Sequence, residues 1–142
     1  MSAPTPGTLW LVPSPLDFGT LDAAGEAPDL REVLPMGTLQ TAARLTHWVV
    51  ENAKTARAVL KRVHAVVPLA QPLQSLQMQE LPRAPKGQRG AAPALPDALL
   101  QPALQGLDMG LMSEAGMPAV ADPGAELVRR AHALGLTVNP LV

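Results

Sequence analysis

Cysteine is absent from this chain of 142 residues, and aromatic residues are scarce, with one Phe, two Trp and no Tyr. The lack of cysteine excludes disulfides, thiolate zinc sites and a cysteine nucleophile, and it leaves the redox compartment open. The lack of aromatic residues disfavours a platform on which the bases of single-stranded nucleic acid would stack. Aromatic stacking therefore does not dominate the binding of any ligand by this chain.

Strong net charge and long apolar runs are also missing. Eleven Lys or Arg against twelve Asp or Glu give a formal net charge of −1, so no general basic field attracts a phosphate backbone. No apolar run approaches the roughly 20 residues that a membrane span needs. The first residues also lack the charged and apolar regions of a signal peptide. We therefore expect a cytoplasmic protein with no membrane partner.

The composition that remains fits one globular domain. Hydrophobic residues make up 47% of the chain and charged residues 16%, which is typical of a domain that folds around a core. The histidines His47, His64 and His132 lie in separate elements and share no metal-ligand spacing. We expect one domain without a metal site.

Sixteen prolines and eleven glycines divide the chain into short strands and helices that alternate. Apolar runs and helical spacing predict strands at 8–12, 47–50, 75–80, 108–113 and 136–141, and helices near 29–34, 39–45, 52–64, 96–105 and 124–134. Alternation of this kind is typical of an α/β fold, so we predict a parallel sheet of about five strands with helices on both faces.

The segment 81–94, LPRAPKGQRGAAPA, is rich in Pro and Gly and carries Arg83, Lys86 and Arg89. We predict a flexible loop there. Its basic side chains are more typical of a solvated loop than of an RNA-binding segment.

The most informative segment is Leu111–Gly124, LMSEAGMPAVADPG. It begins as a short apolar strand, passes a turn of small residues and ends just before the helical pattern AELVRRAHAL. Pro123 suits the first turn of that helix, and Asp122 suits the cap before it. Small residues at the carboxyl end of a buried strand let a ligand approach the backbone closely. The pattern favours a ligand-binding loop, and an ordinary tight connection is the alternative.

This segment resembles the S-D-A-G-x-P-x-x-x-D-P-G signature of the tetrapyrrole methylase superfamily, in the branch that methylates a ribose of small-subunit ribosomal RNA. Residues 7–15, GTLWLVPSP, resemble the opening G-T-L-Y-L-V-P-T-P of that branch. Residues 50–54, VENAK, stand where the branch has A-E-D-T-R. Residues 136–141, LTVNPL, resemble the strand that precedes a G-P-S turn in the family. The resemblance spans residues 7–142.

The resemblance implies that residues 1–142 are a single α/β domain equivalent to the N-terminal half of a two-domain methyltransferase. In that family S-adenosylmethionine is the cofactor and lies between the two domains. The implied methyl acceptor is the ribose 2′-hydroxyl of small-subunit rRNA. Because half of the cleft would be missing, we expect this chain alone to be inactive. Its exposed apolar residues could then pair two copies in a homodimer.

The resemblance also assigns residues. It implies cofactor contacts, made through backbone groups more than through side chains, from Pro15, Leu16, Glu114, Ala115, Gly116 and Ala119. On the substrate side it places Glu51, Asn52 and Lys54. Glu51 has a second interpretation, as an acid that the dipole of the following helix stabilises. No residue identifies itself as the catalytic base.

Departures from the family keep other functions open. Asn52 replaces an acid, and Lys54 replaces an Arg, although Lys cannot bind a phosphate with two parallel hydrogen bonds. Glu114 replaces the Asp of the signature turn. These changes weaken the assignment to ribosomal RNA more than the assignment to methyl transfer. The alternatives are a methylase of a tetrapyrrole or another small molecule, and a non-catalytic α/β module for interaction or dimerisation.

Overall fold

The computed structural model of the chain describes residues 5–14, 30–32, 34–81, 97–112 and 124–141. In these residues five strands form one all-parallel sheet: β1 (Thr8–Val12), β2 (His47–Val50), β3 (Gln77–Glu80), β4 (Met109–Met112) and β5 (Thr137–Pro140). Their order in the sheet is β3-β2-β4-β1-β5. The helices are α1 (Met36–Arg44), α2 (Ala53–His64), α3 (Gln101–Leu104) and α4 (Gly124–Ala133). The predicted parallel sheet of five strands is confirmed.

Helices cover both faces of the sheet, as predicted. Successive residues of a strand point to opposite faces, and the buried side chains accordingly divide into two clusters. One cluster joins α1 and α2 to Val12, Trp48 and Val50. The other joins α3 and α4 to Leu9 and Leu11. We call the two sides the α1/α2 face and the α3/α4 face.

The direction of the chain across the sheet reverses after β3. The connections from β1 to β2 and from β2 to β3 carry helices of the α1/α2 face. The connections from β3 to β4 and from β4 to β5 carry helices of the α3/α4 face. Since crossovers between parallel strands are right-handed, a change of direction puts the helix on the opposite face. The neighbouring strands β1 and β4 therefore send the chain to opposite faces, which makes their carboxyl ends a topological switch point.

Some helices differ from their predicted bounds. Helix α1 begins at Met36 rather than at residue 39, because Pro35 fixes φ at −62° and its carbonyl accepts the first helical hydrogen bond, from the Leu39 N–H at 3.2 Å. The helix predicted at 96–105 is a 3-10 turn (Asp97–Leu100) followed by the four residues of α3. The short helix predicted near 29–34 is a 3-10 turn at Leu30–Glu32.

The predicted loop at 81–94 includes one residue of the core. Leu81 is buried, and its N–H donates to the Val50 carbonyl at 2.8 Å. Residues 82–94 lie outside the described part of the chain, so their flexibility remains a prediction.

Both tryptophans of the chain lie beside Gly110, the second residue of β4. Gly110 is in register with Trp10 on β1 and with Trp48 on β2. A Cβ atom added at Gly110 would lie 2.4 Å from Cζ3 of Trp48, which is far inside a van der Waals contact. The indole of Trp48 is fully buried and fills the space that a side chain at Gly110 would need. The two tryptophans therefore contribute to the packing of the sheet.

Asp108 ties together the amino ends of β1 and β4 and the end of α1. Its Oδ1 accepts from the Thr8 N–H at 2.9 Å, and its Oδ2 accepts from Trp10 Nε1 at 3.3 Å and from Arg44 Nη1 at 3.0 Å. The Arg44 guanidinium also stacks 5.4 Å from the centroid of the Trp10 ring. Burial raises the pKa of Asp108, but the Thr8, Arg44 and Trp10 donors outweigh it and hold that pKa below its ordinary value of 3.8.

Replacing Gly110 with Ala should lower the free energy of unfolding by about 2 kcal/mol, because the new methyl group overlaps the buried Trp48 ring. The matched control is Gly37→Ala in α1, where an added Cβ atom has nothing within 4 Å. Since Ala is the better helix former, the control should keep its stability or gain up to about 1 kcal/mol. Urea unfolding followed by tryptophan fluorescence measures both variants, and equal stabilities would contradict the packing described above.

Replacing Asp108 with Asn should lower the free energy of unfolding by about 1 kcal/mol at pH 7, since the ion pair is partly exposed. The folded-state pKa of Asp108 is lowered, so its contribution is present above pH 3.8 and is lost as the pH falls through the folded value. The difference in free energy of unfolding between wild type and D108N should therefore become smaller as the pH falls below about 4. Urea unfolding of both proteins at each pH tests this, and a constant difference would refute it.

Candidate functional site

Three central strands end together at the carboxyl edge of the sheet. Val12 of β1 is in register with Met112 of β4, and Met112 is in register with Val50 of β2. The Glu51 N–H extends the ladder by donating to the Met112 carbonyl at 3.2 Å. Because the strands are parallel, the segments that follow all three leave from one edge, which is where open α/β sheets bind ligands.

The predicted cofactor residues follow two of these strand ends. Pro15 and Leu16 come directly after Ser14, which is buried just beyond β1. The other four, Glu114, Ala115, Gly116 and Ala119, come after β4. All six lie outside the described residues, so their contacts remain predictions.

The described residues show at which strand end each of the two segments starts and on which face of the sheet the next helix lies. The strands before them, β1 and β4, are neighbours, and α-helices on opposite faces come after them. Two of the stretches that carry the resemblance, 7–15 and 111–124, are therefore attached to the two sides of the switch point.

The predicted substrate-side residues lie at the same edge, between β2 and α2. Asn52 has an extended backbone, with φ −146° and ψ 116°, and caps α2: its Oδ1 accepts from the Thr55 N–H at 3.0 Å. The cap occupies the amide oxygen, so the NH₂ group is the part of Asn52 that can donate to a ligand. Glu51 is half-buried beside the cap, and Lys54 is exposed in the first turn of the helix. The structure thus brings all three together.

Glu80 is a residue of this edge that the sequence analysis missed. It is the last residue of β3, and its Oε2 accepts from the Ala53 N–H at 2.9 Å, at the start of α2. Two carboxylates, Glu51 and Glu80, therefore lie near the positive end of the helix dipole, where negative charge is favoured. The available signal was its place at the end of a predicted strand, the same feature that drew attention to Glu51.

Other kinds of site receive little support. In residues 5–14, 30–32, 34–81, 97–112 and 124–141, no three His, Cys, Asp or Glu side chains are grouped so that they could hold a metal ion. No helix in those ranges is long and apolar enough to span a membrane. An open depression of about 330 Å³ lies at the opposite, amino edge of the sheet, and Arg44 and Asp108 in its lining already pair with each other.

Replacing Asn52 with Ala should lower the free energy of unfolding by about 1 kcal/mol, because the Thr55 N–H loses its cap. Asn52→Ser should keep most of the stability, since a serine hydroxyl oxygen accepts from the same N–H. Thermal unfolding of both variants by circular dichroism tests the cap. Both variants lack the side-chain NH₂ of Asn52. If both bind the methyl acceptor less tightly than wild type does, the missing NH₂ group is the cause, because Asn52→Ser keeps most of its stability. Equal stability of the Ala and Ser variants would contradict the capping role.

No protein-family model matches this chain. A stretch of 36 residues, 25% of the chain, is 53% identical to the ribosomal RNA small subunit methyltransferase I of Pseudomonas aeruginosa and covers 13% of that protein. The chain is therefore similar, over a quarter of its length, to a methyltransferase.

Proposed function

We propose that this chain is the N-terminal domain of an S-adenosylmethionine-dependent methyltransferase that acts on the ribose 2′-hydroxyl of small-subunit ribosomal RNA. One observation carries the proposal: the motif-bearing segments 7–15 and 111–124 include the carboxyl ends of β1 and β4, the neighbouring strands at the switch point. The partial similarity to a ribosomal RNA methyltransferase supports it.

The carboxyl edge fits a cofactor held mainly by backbone groups. The ends of β1 and β4 are one strand spacing apart, about 4.8 Å, so loops from both can reach the same small ligand. The residues proposed to hold it are Pro15, Leu16, Glu114, Ala115, Gly116 and Ala119. Three of them are Ala or Gly, which allow close approach to the backbone.

Methyl transfer requires little from side chains beyond alignment. S-adenosylmethionine supplies an activated methyl group, because its sulfonium charge makes it a good donor. The task of this chain is to hold donor and acceptor in line and to restrict water at the edge.

The substrate side is polar and of mixed charge. Lys54 offers a positive charge to an anionic acceptor, and the NH₂ group of Asn52 offers hydrogen bonds. Glu51 can accept a hydrogen bond from a hydroxyl group. These side chains lie at the start of α2, at the same sheet edge as the β1 and β4 ends.

In a version extended by a second domain, replacing Gly116 with Val should abolish the binding of S-adenosylmethionine and of its demethylated product, because a branched side chain fills space that the cofactor needs. Gly37→Ala in α1, where nothing lies within 4 Å of the added atom, is the matched control and should bind like wild type. Titration calorimetry measures the affinities, and circular dichroism checks the fold. Unchanged affinity in G116V would remove residues 113–119 from the binding site.

The chain by itself should bind the cofactor weakly and transfer no methyl group, because half a cleft leaves much of the ligand in water while the entropy cost of binding remains. A radiolabelled methyl-transfer assay on small-subunit rRNA and on a tetrapyrrole precursor tests this, with sedimentation to determine the oligomeric state. Turnover by the monomer would overturn the shared cleft. If a version extended by a second domain methylated only the tetrapyrrole, the proposed acceptor would be wrong.

A further inference from the structure

The charges of the chain are divided unevenly along its length. Residues 33–79 contain five Lys or Arg and one acid, Glu51, whereas the rest of the chain contains six Lys or Arg and eleven Asp or Glu. The basic part is the unit that builds α1, β2, α2 and most of β3. A net charge near zero therefore conceals a basic region associated with the α1/α2 face.

Helix α2 concentrates this charge. Its twelve residues include four Lys or Arg and no acid. Lys54, Arg57 and Lys61 are exposed and recur at intervals of three and four, so they form a single row along the helix. The side of α2 that packs on the sheet consists of Ala56, Val59, Leu60 and Val63. We call Lys54, Arg57 and Lys61 the α2 row.

Carboxylates do not neutralise the α2 row within the described residues. Two exposed cations elsewhere in these residues form ion pairs: Arg44 with Asp108, and Arg129 with Glu126. No ion pair of the described part of the chain involves a member of the row. The carboxylate of Glu80 contacts the start of α2, but it accepts a hydrogen bond from the backbone N–H of Ala53.

Helix stability explains only part of the row. Lys61 lies in the last turn of α2, where the helix dipole favours a positive charge. Lys54 lies in the first turn, where the helix dipole disfavours a positive charge. Arg57 and Lys61 are four residues apart, a spacing at which like charges repel by about 0.2–0.5 kcal/mol. The position of Lys54 and the spacing of Arg57 and Lys61 are therefore unfavourable for the helix, yet all three side chains stay exposed, and an anionic partner explains this arrangement.

We infer that the α2 row is a docking surface for the phosphate backbone of RNA. The inference rests on the proposed function, because the row begins with Lys54 at the carboxyl edge and leads away from it. From Lys54 to Lys61 it extends about 10 Å along the helix axis. Phosphate contacts of this kind set the position and direction of a strand without reading its sequence. The row holds the acceptor strand by charge, which suits a chain that has few aromatic residues for stacking.

The test uses fluorescence anisotropy of a fluorescein-labelled 20-nucleotide poly(U) RNA, titrated with the 142-residue chain at several salt concentrations. Three phosphate contacts on single-stranded RNA predict a slope of about −2 for the logarithm of affinity against the logarithm of salt. R57Q/K61Q should reduce the slope to about −0.7 and weaken binding by roughly tenfold to hundredfold at low salt. Lys54 is left intact because it belongs to the candidate site.

The matched control is R129Q/R130Q, which removes the same number of positive charges from α4 on the opposite face. It should keep the slope of about −2. Circular dichroism checks that both double variants are folded. Equal slopes in the two double variants, or an unchanged slope in R57Q/K61Q, would overturn the inference. Binding to vesicles of anionic phospholipid without binding to poly(U) would also overturn it, in favour of a membrane surface.

Titration of S-adenosylmethionine separates this inference from the proposed function. R57Q/K61Q should bind the cofactor as wild type does, because Arg57 and Lys61 lie on the helix beyond the candidate site. Cofactor binding without RNA binding by the wild type would refute the docking surface and leave the proposed function standing. In a version extended by a second domain, RNA binding through the row without cofactor binding would support the docking surface as an anion-binding face and refute the methyltransferase. Weak cofactor binding by the 142-residue chain alone agrees with the proposed function.

Discussion

The burial of β4 between β1 and β2 is the constraint on which the rest of the structure depends. Every residue of Met109–Met112 is buried, and hydrogen-bonded ladders join the strand to both neighbours. A parallel strand in this position must be covered on both faces, and the two layers of helices cover it. Gly110 permits this arrangement by leaving room for the Trp48 indole.

The two ends of β4 have different tasks. At its amino end, Asp108 accepts hydrogen bonds from Thr8, Trp10 and Arg44, and so holds β1 and α1 against the strand. At its carboxyl end begins the segment that resembles a methylase signature. Because β4 is short and fully buried, the hydrogen bonds of Asp108 at its amino end help to fix the position of its carboxyl end, where the signature-like segment starts. Strand β4 therefore contributes both to the stability of the fold and to the position of the candidate site.

The separation of helices between the faces also separates charge. The connections that carry α1 and α2 bring the basic part of the sequence to one face of the sheet, and the connection through α4 puts the paired Arg129 and Glu126 on the other. A sequence can thus have almost no net charge and still present a basic surface. The overall charge describes only the sum over the chain and cannot reveal a local basic region.

Much of the fold could be read from local pattern. The strand at 8–12 and the helix ending at His64 follow their predicted bounds. In the strand predicted within 75–80, Leu76 and Met78 pack toward the α1/α2 face, and Gln77 and Gln79 are exposed. These features depend on residues that are close in the chain, whose spacing repeats at two or at three to four residues. For the same reason, the sequence identified Asn52 as a residue at the start of a helix.

Strand order and the composition of the edge were decided only by the tertiary structure. The hydrogen bond between Thr8 and Asp108 joins residues 100 positions apart, and the one between Ala53 and Glu80 joins residues 27 apart. No local period encodes such contacts, because they exist only once strands from distant parts of the chain have paired. The sequence determined which segments form strands and helices and which motifs follow them. Long-range pairing decided that two of those motifs flank one switch point, because only the folded sheet makes β1 and β4 neighbours.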